Sequence, residues 1–250
     1  MINTLKILLH QKNQFIKDIT KVILHEPFRG RPVISSNKVD EFELINTCPV
    51  GAIKTQPIQI DLGKCTFCNE CAIKFPDKIK FTPDYKIAVN NLSSLIIKEG
   101  DDKVIELNPG LIRQEISSFF HGSLKLRQVS AAGDNSAELE LNAAGNVNFD
   151  IGRFGIEFVA SPRHADGIVI TGPISENMTS PLQICYDAVP DPKIIILCGV
   201  DAISGGIFSD SPALNRKFLD KYKVDLYIPG NPPHPLTIIN GILNLIKKRK

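Results

Sequence analysis

The chain has 250 residues, 43% of them hydrophobic and 22% charged, with a formal net charge of +2; this is a globular balance that suits one large domain or two ordinary ones and excludes an intrinsically disordered chain. So small a net charge argues against a nucleic-acid partner, and the one dense basic run, residues 247–250, reads as a solvated helix end. No apolar run reaches the ~20 residues of a membrane span, and Lys6, His10, Gln11 and Lys12 interrupt the first apolar segment too early for a signal peptide, so the chain is expected in the cytoplasm.

In chain order, Leu5, Leu8, Leu9, Phe15, Ile16, Ile19, Val22 and Ile23 recur near helical spacing and predict an amphipathic helix over residues 1–24. The stretch HEPFRGR at 25–31 breaks it. From residue 32 to about 85, short segments and turns surround four of the six cysteines, which suits a small loop-rich module organised by a cofactor. Residues 87–110 read as a connector with one or two short strands, turned at Gly100, Asp101 and Asp102.

Beyond about residue 111 the texture changes. The runs LKLRQVSA, FGIEFVAS, GIVITGP, KIIILCG and VDLYIPG alternate with helical segments that include 178–188 and 235–248. Near-continuous apolar strands separated by helices predict an α/β fold with a parallel sheet covered on both faces. Ligands of such sheets gather beyond the carboxyl ends of the strands. Three loops fall there: AAGDNSAE at 131–138, GVDAISGG at 199–206 and PGNPPHP at 229–235. In the last, prolines stiffen the backbone around one polar side chain, Asn231.

Six cysteines in a cytosolic chain favour metal or redox chemistry over disulfides. Cys185 and Cys198 stand alone in apolar surroundings and read as small hydrophobes. KCTFCNEC places Cys65, Cys68 and Cys71 at C-x2-C-x2-C, with Cys48-Pro49 upstream. Three thiolates on one tight loop and a fourth from a remote Cys-Pro are the ligand pattern of a [4Fe-4S] cluster. Zinc is the alternative, although its four-cysteine sites usually pair two C-x2-C knuckles. A metal-free module this poor in core would be hard to stabilise.

The module resembles a two-cluster ferredoxin that keeps one cluster. The companion positions read Lys38, Glu41 and Leu44, and Phe75 stands before Pro76, so none is cysteine. The segment FDIGRFGIEFVASPRHADGIVITGPISENM at 149–178, with GVDAISGGIF and DLYIPGNPPHP, resembles the small electron-transfer subunit of group 4 membrane-bound [NiFe] hydrogenases and formate hydrogenlyase, and the 20 kDa subunit of respiratory complex I. The likeness covers roughly residues 120–245. EPFRGRPVI and the cysteines are similar to the ferredoxin-like partner subunit of those complexes, so the chain looks like the two joined.

The resemblance implies a helix at 1–24, a ferredoxin-like [4Fe-4S] domain at 25–86 on Cys48, Cys65, Cys68 and Cys71, a connector at 87–115 and a flavodoxin-like domain at 116–250. It also implies a second cluster at the three strand-end loops, but the matching positions read Asp134, Ala137, Asp201 and Asn231. Iron–sulfur clusters need thiolates or occasionally imidazole, so the larger domain is expected to hold none. Asp134, Glu138 and Asp201 could gather around Mg²⁺ or Ca²⁺, though no ion-loop spacing is present and hydrogen bonds to loop backbone or water are the plainer reading.

The implied partners are a hydrogenase large-subunit-like or complex I 49 kDa-like protein and other complex subunits. The implied location is the cytoplasm or the cytoplasmic face of the inner membrane, with indirect membrane contact. The residues 1–24 and 236–246 are expected at partner contacts. Arg163 and His164 are either beside a catalytic partner or exposed at a helix start. No nucleophile with its base and no phosphate-binding glycine loop is present, so the chain reads as a non-catalytic electron-transfer or redox-scaffold subunit. The rivals are a structural, assembly or regulatory paralogue and an enzyme with new pocket chemistry.

Overall fold

The computed structural model describes residues 2–12 and 14–247. Helix α1 (Ile2–Gln11) buries none of its residues and ends well short of residue 24. Asp18 Oδ1 accepts the Thr20 N–H at 2.9 Å and its hydroxyl at 2.6 Å, a local turn that competes with helix. Ile16 N donates to the Asn148 carbonyl at 2.9 Å, and the Tyr85 hydroxyl donates to the carbonyl of buried Ile19. Tertiary partners thus replace the helical ones beyond residue 14.

The cysteine-bearing part runs β1 (Pro32–Ile34), α2 (Glu41–Thr47), β2 (Ile53–Lys54), β3 (Gln59–Asp61), α3 (Glu70–Lys74) and β4 (Ile79–Phe81). This is a β-α-β unit given twice, with β1 antiparallel to β4, β2 antiparallel to β3, and α2 against α3. Asp40 caps α2 by accepting the Glu43 N–H at 3.0 Å. β5 (Ile96–Lys98) adds a third strand on β3. Buried Lys78 joins the two small sheets, reaching Glu99 at 3.0 Å and the Ser35 carbonyl at 2.6 Å.

Then follow α4 (Gln114–Phe119), β6 (Leu124–Ser130), α5 (Ser136–Ala144), β7 (Ile156–Phe158), β8 (Gly167–Thr171), α6 (Glu176–Ala188), β9 (Ile194–Cys198), α7 (Val200–Ser204), α8 (Lys217–Lys221), β10 (Leu226–Ile228) and α9 (Pro235–Leu245). The sheet order β10-β9-β8-β6-β7 is parallel throughout. Counted along the domain this is 2-1-3-4-5, the flavodoxin-like doubly wound order, and each of the five apolar runs supplies one strand.

β8 and β9 are buried at every position because both faces are covered there, whereas β6 and β7 expose Lys125 and Glu157. Ile168, Ile170, Ile195 and Leu197 join the core shared with the cysteine module, while Val169, Ile194, Ile196 and Cys198 face the core built with α9. α9 corrects one expectation: all its residues but Asn244 are buried within the chain, so 236–246 serves this fold and not a partner. Arg113 grips Asp225 with two hydrogen bonds of 2.9 and 3.0 Å and fixes the start of the β9–β10 pair. The two parts meet where Val89 pairs with Tyr227 on the outer edge of β10.

Candidate functional site

Cys48 closes α2, Cys65 follows β3, and Cys71 lies in α3. Between the last two, Phe67 and Asn69 have left-handed backbones, with φ of 54° and 75°, so the loop turns back on itself twice. That path brings Cys48, Cys65, Cys68 and Cys71 to the wall of one cavity, with Pro49, Ile53, Ile60 and Phe81 as its apolar lining. Two sulfurs accept main-chain N–H groups: Cys48 Sγ from Ala52 at 3.2 Å and Cys65 Sγ from Phe67 at 3.3 Å. Such bonds favour the thiolate.

Burial pushes the Cys65 thiol up to about 12 and Cys71 up to about 11, with the other three cysteines adding to the rise at Cys65 and Cys48 and Cys68 at Cys71. Cys68 is exposed. Among the described residues no three His, Cys, Asp or Glu side chains converge as a single metal ion would need. A cubane takes one thiolate at each iron and requires no common point, so four thiols on one apolar cavity with aimed N–H donors fit its chemistry. Of the companion positions, Leu44 is fully buried and Phe75 packs against the core, whereas Lys38 and Glu41 are exposed.

The strand-end loops converge as expected. Asp134, Ala137, Asp201 and Asn231 line one small pocket together with Cys198 and the glycines 172, 199 and 230. Asp134 is exposed and accepts the Ser136 N–H at 2.9 Å, which starts α5. Asp201, in α7, is 8% exposed, and its Oδ1 has no hydrogen-bond partner. Glu138 accepts the Thr171 hydroxyl at 2.6 Å on Oε1, while Oε2 is buried without a partner. Burial first, then Asp134 and Glu138, push the Asp201 carboxyl up to about 6.

Room for that carboxylate depends on Gly206, where a Cβ would stand 1.8 Å from Asp201 Oδ1. Arg216 holds the end of α7, donating to the carbonyls of Asp201, Ala202 and Ile203 at 3.3, 2.7 and 2.8 Å and to Pro173 at 2.9 Å. Cys198 is the one sulfur among the lining residues, fully buried in β9, its thiol pushed up by burial and then by Glu138 and Glu140. One thiol with carboxylates, an amide and a methyl group does not fit an iron–sulfur cluster. Arg163 and His164 lie exposed on a 3-10 turn and line neither pocket.

Sequence reasoning missed the seam between the two sites. Arg29 Nε donates to the Phe67 carbonyl inside the cysteine loop at 2.5 Å. The neighbouring Phe28 ring meets His234 of the PGNPPHP loop edge-on at 5.2 Å between centroids. The signal was the EPFRG stretch, an aromatic and a cation held between a proline and a glycine.

The profile described as NADH ubiquinone oxidoreductase, 20 Kd subunit, matches residues 135–245. The probable membrane-bound hydrogenase subunit mbhJ of Pyrococcus furiosus is 33% identical over 134 residues, 54% of this chain and 80% of that protein. An NADH-quinone oxidoreductase subunit of Clostridium beijerinckii is 44% identical over 111 residues, 44% of this chain and 66% of that protein, just under two thirds of its length. A chain of a membrane-bound sulfane sulfur reductase, an archaeal respiratory membrane complex, is 33% identical over 51% of this chain and 70% of its own, with a TM-score of 0.45. At one-third identity over four-fifths of the hydrogenase relative, and with the profile spanning α5 to α9, the chain belongs to the family of the NADH ubiquinone oxidoreductase 20 kDa subunit.

Proposed function

We propose that the chain is an electron-transfer or redox-scaffold subunit of a hydrogenase-like or complex I-like oxidoreductase complex. In this reading it carries one [4Fe-4S] cluster on Cys48, Cys65, Cys68 and Cys71 in a ferredoxin-like N-terminal module, and none in the larger domain. The observation that carries the reading is the single cavity lined by those four cysteines. The doubled β-α-β unit supports it, since such a module places two short helices and two antiparallel strand pairs around its cofactor.

The cluster, when bound, supplies one-electron transfer at a potential set by hydrogen bonding and exposure. The chain's own part is to hold four thiolates, to aim the Ala52 and Phe67 N–H groups at two of them, and to leave Cys68 at the surface. The names of the relatives, a membrane-bound hydrogenase subunit and a quinone oxidoreductase subunit, suggest the complex. The partners are then a large-subunit-like or 49 kDa-like protein and other subunits, and α1, with Leu5, Leu8 and Leu9 exposed, is a contact for one of them. No helix among the described residues is long and apolar enough to cross a membrane, and membrane contact in this reading runs through the partners.

The replacement of the loop thiols by Asp134, Ala137, Asp201 and Asn231 favours a second reading, a structural or regulatory paralogue whose one cluster stabilises or senses. Iron and acid-labile sulfide per chain, with an EPR spectrum after dithionite, test the first reading on anaerobically purified protein. About four irons with one cubane signal are expected. About eight would mean a cluster in the larger domain as well, and none would put the structural reading first.

A further inference from the structure

A cavity of about 240 Å³ opens at the seam of the cysteine module and the larger domain. Arg29 and Glu140 both line it. They form no ion pair, so their charged atoms stand more than 4.0 Å apart. The Glu140 carboxylate makes no hydrogen bond to the described residues, and burial alone raises its pKa, with no cation lowering it. Arg29 is held by the carbonyls of Phe67 and Pro27 through Nε and Nη1, which leaves Nη2 open.

His234 also lines the cavity. Its Nδ1 accepts the Leu236 N–H at 3.1 Å, which puts the proton of the neutral ring on Nε2, and burial lowers the ring's pKa. The rest of the lining is largely apolar, with Phe28, Phe67 and Ile87 and the prolines 27, 229 and 232, and with Asn231 and Thr237 as its further polar side chains. Arg29 and Glu140 are half-buried opposite charges on one cavity that give up part of their hydration without meeting each other. An occupant that satisfies both has separate positive and negative ends and an apolar middle.

We propose that the seam cavity binds a small zwitterion with an apolar body, the class of a free aromatic or aliphatic α-amino acid, its carboxylate toward Arg29 and His234 and its ammonium toward Glu140. The volume lies below the roughly 300–1,000 Å³ of pockets for drug-sized ligands, so a nucleotide or flavin is too large. A simple anion leaves Glu140 uncompensated, and a simple cation faces Arg29. The cavity shares no lining residue with the four-cysteine cavity and adjoins the strand-end pocket through Gly230 and Asn231, and its test does not depend on iron content.

Calorimetric titration of the full chain, purified anaerobically, with L-phenylalanine, L-leucine, 3-phenylpropionate and 2-phenylethylamine decides it. Saturable binding of an amino acid is expected, with the acid and the amine each about tenfold weaker or more, the worth of one charge-assisted hydrogen bond. Glu140→Gln should weaken the amino acid about tenfold while sparing 3-phenylpropionate. Equal binding of all four, no saturable binding of either amino acid up to about 10 mM, or an unchanged affinity in folded Glu140→Gln protein would overturn the proposal. The comparison of ligands on the unsubstituted chain stands even if the variant fails to fold.

Discussion

Arg29 Nε and the carbonyl oxygen of Phe67 lie 2.5 Å apart, which ties the EPFRG stretch to the residue directly before Cys68. Replacing Arg29 by Met keeps the packing of its stem and removes the donor. The carbonyl then loses a charge-assisted bond, at ~1.5–3 kcal/mol. If the proposed cluster is bound, Arg29→Met protein is expected to release iron to a ferrous chelator several-fold faster than the unsubstituted protein, with its far-UV circular dichroism unchanged. Equal release rates would show that the loop holds its geometry unaided.

Asp225 is 5% exposed and serves three elements, accepting from Arg113 and from the Ile195 N–H at 3.0 Å. Asp225→Ala takes the acceptor from a strand N–H and from Arg113, which is partly exposed and keeps the Lys193 carbonyl, and a loss of ~1–3 kcal/mol is expected. Urea denaturation followed by circular dichroism would measure it as a lowered midpoint.

Asp201 sets a pH dependence. Its carboxyl rises from 3.8 to about 6 on folding, so folding penalises the charged form. Its favourable contribution is therefore complete below about 4, declines as pH rises toward about 6, and stays lost above that. Asp201→Asn removes the titration. The variant should match the unsubstituted protein in unfolding free energy near the acid end and exceed it at neutral pH, by on the order of 1–3 kcal/mol. A constant difference across the range would assign the penalty elsewhere.

Gly206 stands so close to Asp201 that a methyl group there would overlap Oδ1, and its φ of 54° disfavours other residues besides. Gly206→Ala is expected to cost ~1–3 kcal/mol through overpacking. Asp201→Ala in the same chain should recover the steric share, which a double-mutant cycle on denaturation midpoints would isolate.

Much of the larger domain was legible because its signals are local. The runs that became β8 and β9 are apolar but for Thr171 and buried at every position, as strands covered on both faces are. The loops after β6, β9 and β10 announce themselves by glycine and proline, and they converge at one pocket. The failures have tertiary causes. Helical spacing runs on to Ile23, yet Asp18, Asn148 and Tyr85 claim the backbone between residues 16 and 20. The apolar face of α9 looked available to a partner until the fold closed over it. Arg113 and Asp225 are 112 residues apart, and the seam cavity draws on both parts, so neither could be read from spacing.

The pairing of Val89 with Tyr227, through N–H···O bonds of 3.0 and 2.7 Å, covers the free side of an outer strand. A strand edge left open recruits other strands, its own copies included. The larger domain cut away from residues 1–115 would bare that side of β10 and with it a template for self-association. Val89 therefore shields that edge of β10, and the larger piece of a chain divided after residue 115 is expected to self-associate more readily than the whole chain.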